Sequence, residues 1–318
     1  MTRKPAVPTS QTVEYIVVAY RSEKHLTDCL DAIEADRPPG AAITVVDNAS
    51  PDHSAAVAMA HRSKPRLVNS PRNLGFGGGC NLGVDARSAE FVFFVNPDAR
   101  LRPGATAGLL AQLRRDPTIA AAGPRMIDSA GVIGAASAGF EPTLRSALGH
   151  FLLLARLAVL RSLFPPFQLP PGSASRRVDW VGGAAMMVRT ADFRRVGGFD
   201  PSMFLYMEDV DLCRRLREAG SAVLYEPAAV VAHDMGGSQG DEQPARWYRA
   251  FHAYVARRRG KPYARLVSTI AFLGLGLRAS LLALQDRRRA RRLARAALTA
   301  AREALRIGTA RALDTPGP

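Results

Sequence analysis

The hydrophobic positions gather in short unbroken runs, and the stretches between them repeat apolar residues at helical spacing. Val13–Ala19 (VEYIVVA), Ala42–Val46 (AITVV) and Phe91–Val95 (FVFFV) are rich in β-branched and aromatic side chains, with a shorter run at Arg66–Asn69. Runs without alternation predict strands covered by helices on both faces. Glu23–Ala35 places Leu26, Leu30 and Ile33 about one turn apart, Pro51–Arg62 follows Ser50 as a capping residue, and Pro103–Arg115 opens with proline. Strands alternating with such helices predict right-handed βαβ units, an α/β fold with a mostly parallel sheet. The segment Asn73–Asn81 (NLGFGGGCN) reads as a loop leading into a helix through about Ser88.

Patterning changes in the second half. Thr118–Phe140 is small-residue rich, a lip beside the sheet, and His150–Phe167 carries Leu153, Leu157, Leu160 and Phe164 on one stripe before Pro165-Pro166. That stripe predicts a helix, either interfacial or a greasy wall for a lipid acceptor, or an ordinary core helix. Gly172–Arg177 reads as a loop, and Val178–Val188 as a strand interrupted by Gly182-Gly183, a bulge or a close approach to a ligand. Val223–Tyr225 and Ala229–Ala232 are short strands, the second delivering His233 to a loop ending Gly236-Gly237-Ser238.

Charge divides the chain further. Its net +15 is concentrated from Ala245 onward, where 17 Lys and Arg stand against 3 acids. Within that block lies Leu266–Leu284, apolar but for Arg278, followed by Arg287, Arg288, Arg289, Arg291 and Arg292. This run of 19 comes close to the ~20 that cross a bilayer, with Arg278 near enough to the end to snorkel and the arginines as a flank on anionic lipid. The alternatives are a helix lying in the interface or one packed on the rest of the protein. Without aromatic interleaving or a nucleic-acid motif, the basic block points to an anionic membrane surface and no nucleic acid. Cys29, Cys80 and Cys213 are odd in number and share no CxxC spacing, which fits a reducing cytoplasm. The first 12 residues carry no apolar stretch and read as a loose tail.

Chemistry concentrates where strands end. Phe91–Asp98 stops at Asn96-Pro97-Asp98, so Asp98 lies past a strand's carboxyl end, the edge at which open α/β sheets bind ligands; Asp47 occupies the equivalent position on the second strand. Gly75-x-Gly77 fails the dinucleotide fingerprint, since its third position is Cys80 and it follows the third strand. Glu208, Asp209 and Asp211 crowd a helix N-terminus, where the dipole favours them and where one carboxylate can act as a general base. His233 and Asp98 could share a divalent ion.

Taken in order, Asp47 after the second strand, Asn73-Leu-Gly-Phe-Gly, Asn96-Pro-Asp98, Trp180-Val-Gly-Gly, Gly198-Phe-Asp-Pro, Met207-Glu-Asp-Val-Asp-Leu-Cys and His233 resemble a family 2 glycosyltransferase over roughly Val13 to Ser238. Within that family the rhamnosyltransferases of bacterial cell-wall and polysaccharide assembly are most similar. The resemblance implies a GT-A fold and inverting transfer from a nucleotide-diphosphate sugar, dTDP-rhamnose, onto a polyprenyl-linked or glycan acceptor at the cytoplasmic face of the membrane. It further implies that Asp47 binds the base, with Ala19, Tyr20, Arg21, Asn73, Gly75 and Asn96 completing the donor site. Asp98 and His233 would hold Mg²⁺ or Mn²⁺, Asp209 would be the base supported by Glu208, and Trp180, Gly182 and Gly183 would shape the acceptor site. Asn96 and Pro97 stand where the family often has carboxylates, leaving a single acidic ligand, so metal binding should lean on the nucleotide's phosphates. Three units are expected: a tail to residue 12, a catalytic domain at 13–240 with donor (13–125) and acceptor (126–240) halves, and a helical extension at 241–318. Other readings are a transferase for galactofuranose or glucose and a nucleotide-sugar-binding assembly protein without turnover, which would have no need of Asp209.

Overall fold

The computed structural model describes residues 12–85, 89–128, 137–160, 162–169, 172, 174–233, 243–283 and 286–305. The N-terminal tail, the centre of the small-residue lip and the loop ending Gly236-Gly237-Ser238 lie outside the described residues. Strands β1 (Val13–Ala19), β2 (Ala42–Asp47), β3 (Arg66–Asn69) and β4 (Phe91–Val95) run parallel, and helices α1 (Glu23–Asp36), α2 (Ser54–Ala60) and α3 (Gly75–Gly83) connect them. Strand β5 (Ala99–Leu101), helix α4 (Ala105–Arg115), β6 (Ile119–Ile127), β7 (Ala138–Gly139) and α5 (Leu144–Phe151) follow. Next come β8 (Arg176–Val178), β9 (Trp180–Val181), β10 (Ala185–Arg189), α6 (Thr190–Arg195), α7 (Glu208–Glu218) and β11 (Ala222–His233). The main sheet has the order β3-β2-β1-β4-β10-β6-β11-β5 with β8 on β11, and β7 pairs β9 separately. Its β10 runs antiparallel between β4 and β6, so the sheet is parallel from β3 to β4 and mixed beyond.

Alternation within the buried strands explains the two-sided core. Tyr15, Val17, Phe91 and Phe93 face α1 and α4 with Leu26, Leu30, Leu109 and Leu113, whereas Ile16, Val18, Val92 and Phe94 face Phe199, Leu212 and Leu216. Burying such side chains contributes about 2–3 kcal/mol each by area.

Several elements depart from the sequence reading. The glycine segment is itself the helix α3, because a Cβ at Gly79 would stand 2.6 Å from Val18 Cγ1, and only a bare backbone lets this helix lie so close to β1. Helix α2 starts at Ser54 instead of Pro51, and Ser50 does not cap it. Its hydroxyl donates to Asp52, whose Oδ1 accepts the Ser54 N–H at 3.1 Å. The stripe from His150 forms no continuous helix. The α5 helix ends at Phe151, Leu153 takes a left-handed φ of 61°, and two 3₁₀ turns, Leu154–Arg156 and Ala158–Leu160, follow. Pairing with β11 makes a strand of Arg176–Val178 within the expected loop, and β11 is one bulged strand in place of two.

Helices α8 (Gln243–Arg259), α9 (Lys261–Leu282) and α10 (Arg287–Leu305) pack against one another and against α5. Tyr254 Oη donates to Glu141 (2.9 Å), and Arg257 and Arg258 pair with Asp200 and Glu218 at 2.8 Å each. The α9 helix is long and apolar enough to cross a membrane by length and composition. Arg278, expected to snorkel outward, points inward: its guanidinium donates to the backbone carbonyls of His150 and, at 2.9 Å, Phe151. Carbonyls at the carboxyl end of α5 lack partners within the helix, and the Arg278 guanidinium brings donors and positive charge to them.

Candidate active site

Register sets the carboxyl edge of the first three strands. Ala19 lies beside Asp47 and Asp47 beside Asn69, so the carboxyl ends of β1, β2 and β3 form one row. Asn48 N–H donates to Ala19 O (2.9 Å), holding the first two strand ends together. Beyond β1 the chain turns through Arg21 at φ 55°, its N–H donating to Ser50 Oγ (2.7 Å), and the Arg21 guanidinium lies 5.6 Å from the Tyr20 ring centroid. Tyr20 is 39% exposed and offers an aromatic face at this edge. Asp47 accepts from Ser50 N–H at 3.3 Å; burial, with a smaller push from the Asp52 charge, raises its carboxyl above the usual range. Burial works against Asp52 too, but hydrogen bonds from Ser50, Ser54 and the Glu23 backbone outweigh it and hold that acid down to about 2.

Asn73 and Gly75 are engaged with the protein itself. Asn73 Oδ1 accepts from Asn48 Nδ2 (3.0 Å) and from Gly75 N–H (2.9 Å), while Leu74 N–H donates to Asn48 Oδ1 (2.9 Å). Gly75, at φ 73°, leaves no room for a side chain, since a Cβ there would stand 2.0 Å from Phe204 O. The close approach is to the protein's own backbone, sealed by Phe76 N–H to Phe204 O (3.1 Å). The same helix is tied again by Asn81, which donates to Phe199 O and accepts from Phe199 N–H.

Asp98 and His233 meet as expected. Pairing of β11 with β5 sets His233 opposite Ala99, and its Nε2 lies 3.1 Å from Asp98 Oδ1 and 3.4 Å from Asn96 Nδ2. Among the described residues no group of three or more His, Cys, Asp or Glu gathers that could hold a metal ion unaided. One carboxylate and one imidazole on converging strand ends fit a divalent ion that takes its remaining ligands from phosphate oxygens.

The third cluster is built by a strained turn. Tyr206 and Met207 both take left-handed φ, 70° and 69°, swinging the chain so that α7 begins at Glu208. Asp209 Oδ2 accepts from Gly183 N–H and Oδ1 from Val210 N–H, both at 2.8 Å. Burial raises its pKa above the usual carboxylate value even against these two bonds. Glu208 is almost fully buried, its Oε2 has no hydrogen-bond partner among the described residues, and burial together with the Asp209 charge pushes its pKa well up. Asp211 is spent elsewhere, pairing with Arg214 at 2.6 Å and Arg215 at 2.7 Å.

The Gly182-Gly183 break joins these centres. Gly182 N–H donates to Ser137 O (2.8 Å), Gly183 N–H holds Asp209, and the next residue, Ala184, accepts from Asn96 N–H at 2.9 Å. A single three-residue segment therefore touches both the base candidate and the turn that carries Asp98. Trp180 is 5% exposed, tilted against the Phe167 ring and donating Nε1–H to Phe140 O (3.1 Å), so it acts on its surroundings through the backbone it anchors. Sequence reading missed Asn48, Asp52 and Phe76. Asn48 stands in a strand-end Asp-Asn pair, which was a signal; the others are recognisable only from contacts made across the fold.

A Rossmann-like, mostly parallel sheet with acids at its carboxyl edge and a buried carboxylate held beside it is the architecture of a GT-A glycosyltransferase. Residues 15–153 match the model of the glycosyl transferase family 2. The N-acetylglucosaminyl-diphospho-decaprenol L-rhamnosyltransferase of Mycobacterium tuberculosis is 31% identical over 257 residues, covering 74% of this chain and 80% of that one. Rhamnosyltransferase WbbL of Escherichia coli is 41% identical over 85 residues, 26% of this chain and 32% of the other. Among solved structures, a mannosyltransferase of Pyrobaculum calidifontis in complex with GDP-Man and Mn²⁺ superposes with a TM-score of 0.61 at 17% identity, over 94% of this chain and 88% of its own. The chain belongs to glycosyl transferase family 2.

Proposed function

We propose that this transferase moves a sugar with inversion, L-rhamnose from dTDP-rhamnose, onto a polyprenyl-diphosphate-linked or glycan acceptor in cell-envelope synthesis, at the cytoplasmic face of the membrane. The observation that carries the reading is Asp209, fixed by the Gly183 N–H on a segment bonded to the Asn96 turn. The sugar proposed is the one named for the mycobacterial relative. In this scheme the donor half spans 13–125, the acceptor half 126–240 and the extension 241–318.

Asp209 accepts the proton of the acceptor hydroxyl as its oxygen attacks the anomeric carbon, and the bond from that carbon to the donor's diphosphate oxygen breaks on the opposite face. The raised pKa makes Asp209 a better proton acceptor than an exposed carboxylate. Glu208 touches no reacting atom in this account; protonated, it spares Asp209 a second buried negative charge. Asp98 and His233 would hold Mg²⁺ or Mn²⁺, which when bound supplies positive charge to the departing diphosphate. Tyr20, Arg21 and Asp47 would orient the base and ribose along the donor edge.

The test is release of nucleoside diphosphate from a panel of activated sugars, with membranes and Mg²⁺, for wild type and Asp209→Asn. Turnover with dTDP-rhamnose is expected to fall by about 10²–10⁴ in the variant while donor binding persists. Turnover confined to another donor would replace the sugar in this reading; binding of every donor with turnover of none would favour an assembly protein.

A further inference from the structure

The C-terminal extension has a second face. On α9 the residues Val267, Ala271, Gly274, Leu275 and Ala279 are buried against α5, α8 and α10. The opposite face carries Leu266, Leu273, Leu277 and Leu281, which repeat at one- and two-turn spacing and are 48–67% exposed. Where the α5 helix ends against Gly274 and Arg278, the chain enters its two 3₁₀ turns and presents Leu157 and Val159, the latter 88% exposed. A second apolar surface, distant in sequence, thus begins where α5 meets α9. At the carboxyl end of the leucine stripe the chain doubles back into α10, which opens with the exposed Arg287, Arg289 and Arg291.

From this arrangement we infer that the α9 leucine stripe and the 152–160 turns form an in-plane docking surface for an anionic lipid bilayer. This rests on the reading of a membrane-linked acceptor and adds the mode of attachment. A span is incompatible with the packing: α9 is flanked along its length by α10, whose 19 residues carry seven arginines, and these would be dragged into hydrocarbon with it. An amphipathic helix lying in the interface needs what is present instead, a leucine face to enter the acyl boundary and cations at its border for anionic headgroups. Contiguous exposed leucine on this scale, bordered by arginine, is unusual for a surface left in water.

The experiment is flotation of the full chain with phosphatidylcholine vesicles with and without phosphatidylglycerol. Expected is binding to the anionic vesicles, at least about tenfold weaker to neutral ones, and release from native membranes by alkaline carbonate. The triple change Leu273→Asp, Leu277→Asp, Leu281→Asp and the single change Val159→Asp should each weaken flotation, with transfer to a short water-soluble acceptor unchanged. Should the triple variant fail to fold, Arg287→Glu with Arg289→Glu and Arg291→Glu, all on exposed positions, should abolish the preference for anionic lipid. Carbonate resistance would mean a span and overturn the inference. Unchanged flotation in every variant would overturn it too, as would a soluble dimer that the leucine changes split without altering lipid binding. Loss of flotation with soluble transfer intact tests this inference; loss of transfer with flotation intact counts only against the enzymatic reading.

Discussion

Asp98 and Asp209 serve one edge of one sheet yet are prepared in opposite ways. Asp98 is delivered by a strand end, faces an imidazole 3.1 Å away and is set by the antiparallel pairing of β11 with β5, which puts His233 opposite Ala99. Asp209 comes from a helix entered through two left-handed residues, is gripped by a glycine N–H from the turn before β10, and has beside it a buried glutamate whose Oε2 has no hydrogen-bond partner among the described residues. A group that meets phosphate-bound metal can lean on its ligands for order. A group that must accept a proton has to be held, desolvated and tuned by the protein itself.

The largest expected effect that separates the two is on the Asp98 side. Asp98→Asn or His233→Ala should lower turnover by about 10²–10³ and raise the Mn²⁺ concentration needed for half-maximal rate; metal titrations of Asp209→Asn should show no such rise. Equal metal dependence in both would dissolve the distinction. Gly183→Ala comes next: its Cβ would stand 2.8 Å from Phe76 Cε1 and 3.5 Å from Asp209 Cβ. Moving the ring or the loop should cost about 1–3 kcal/mol, lower kcat by about tenfold and leave the donor KM unchanged, measured by steady-state kinetics.

Smallest is the pH effect at Glu208. Its folded-state pKa lies above the unfolded value, so its contribution is fully present below the unfolded pKa and is lost as pH rises through the folded one. Glu208→Gln should therefore flatten the decline of Tm with pH, gaining on wild type from acid to alkaline in thermal melts. Its acid limb of kcat should stay in place, since a Glu208 that is already protonated adds no charge to Asp209.

The strand ends were legible because their signals are local. Unbroken β-branched runs fix buried strands, and Asp47, Asp98 and His233 are positioned by where strands stop. Residues 150–167 defeated the same logic: Leu153 at φ 61° ends a helix that periodicity would continue. Nor could spacing tell Asp209 from Asp211, two residues apart on one helix. The first meets Gly183 and the second two arginines, a difference made only by tertiary contact. Arg278 was misplaced for a related reason, since the demand for it comes from carbonyls more than a hundred residues away.

That arginine has a geometric consequence. With Arg278 bonded to the end of α5, and Gly274 backed against Phe151 O, α9 cannot swing away without stripping carbonyls and a guanidinium together. The extension is consequently a bracket, not a tether. On a bilayer it would hold the catalytic edge at one height and one tilt, so that reach toward a lipid-borne hydroxyl is set by the length of the acceptor's own stem.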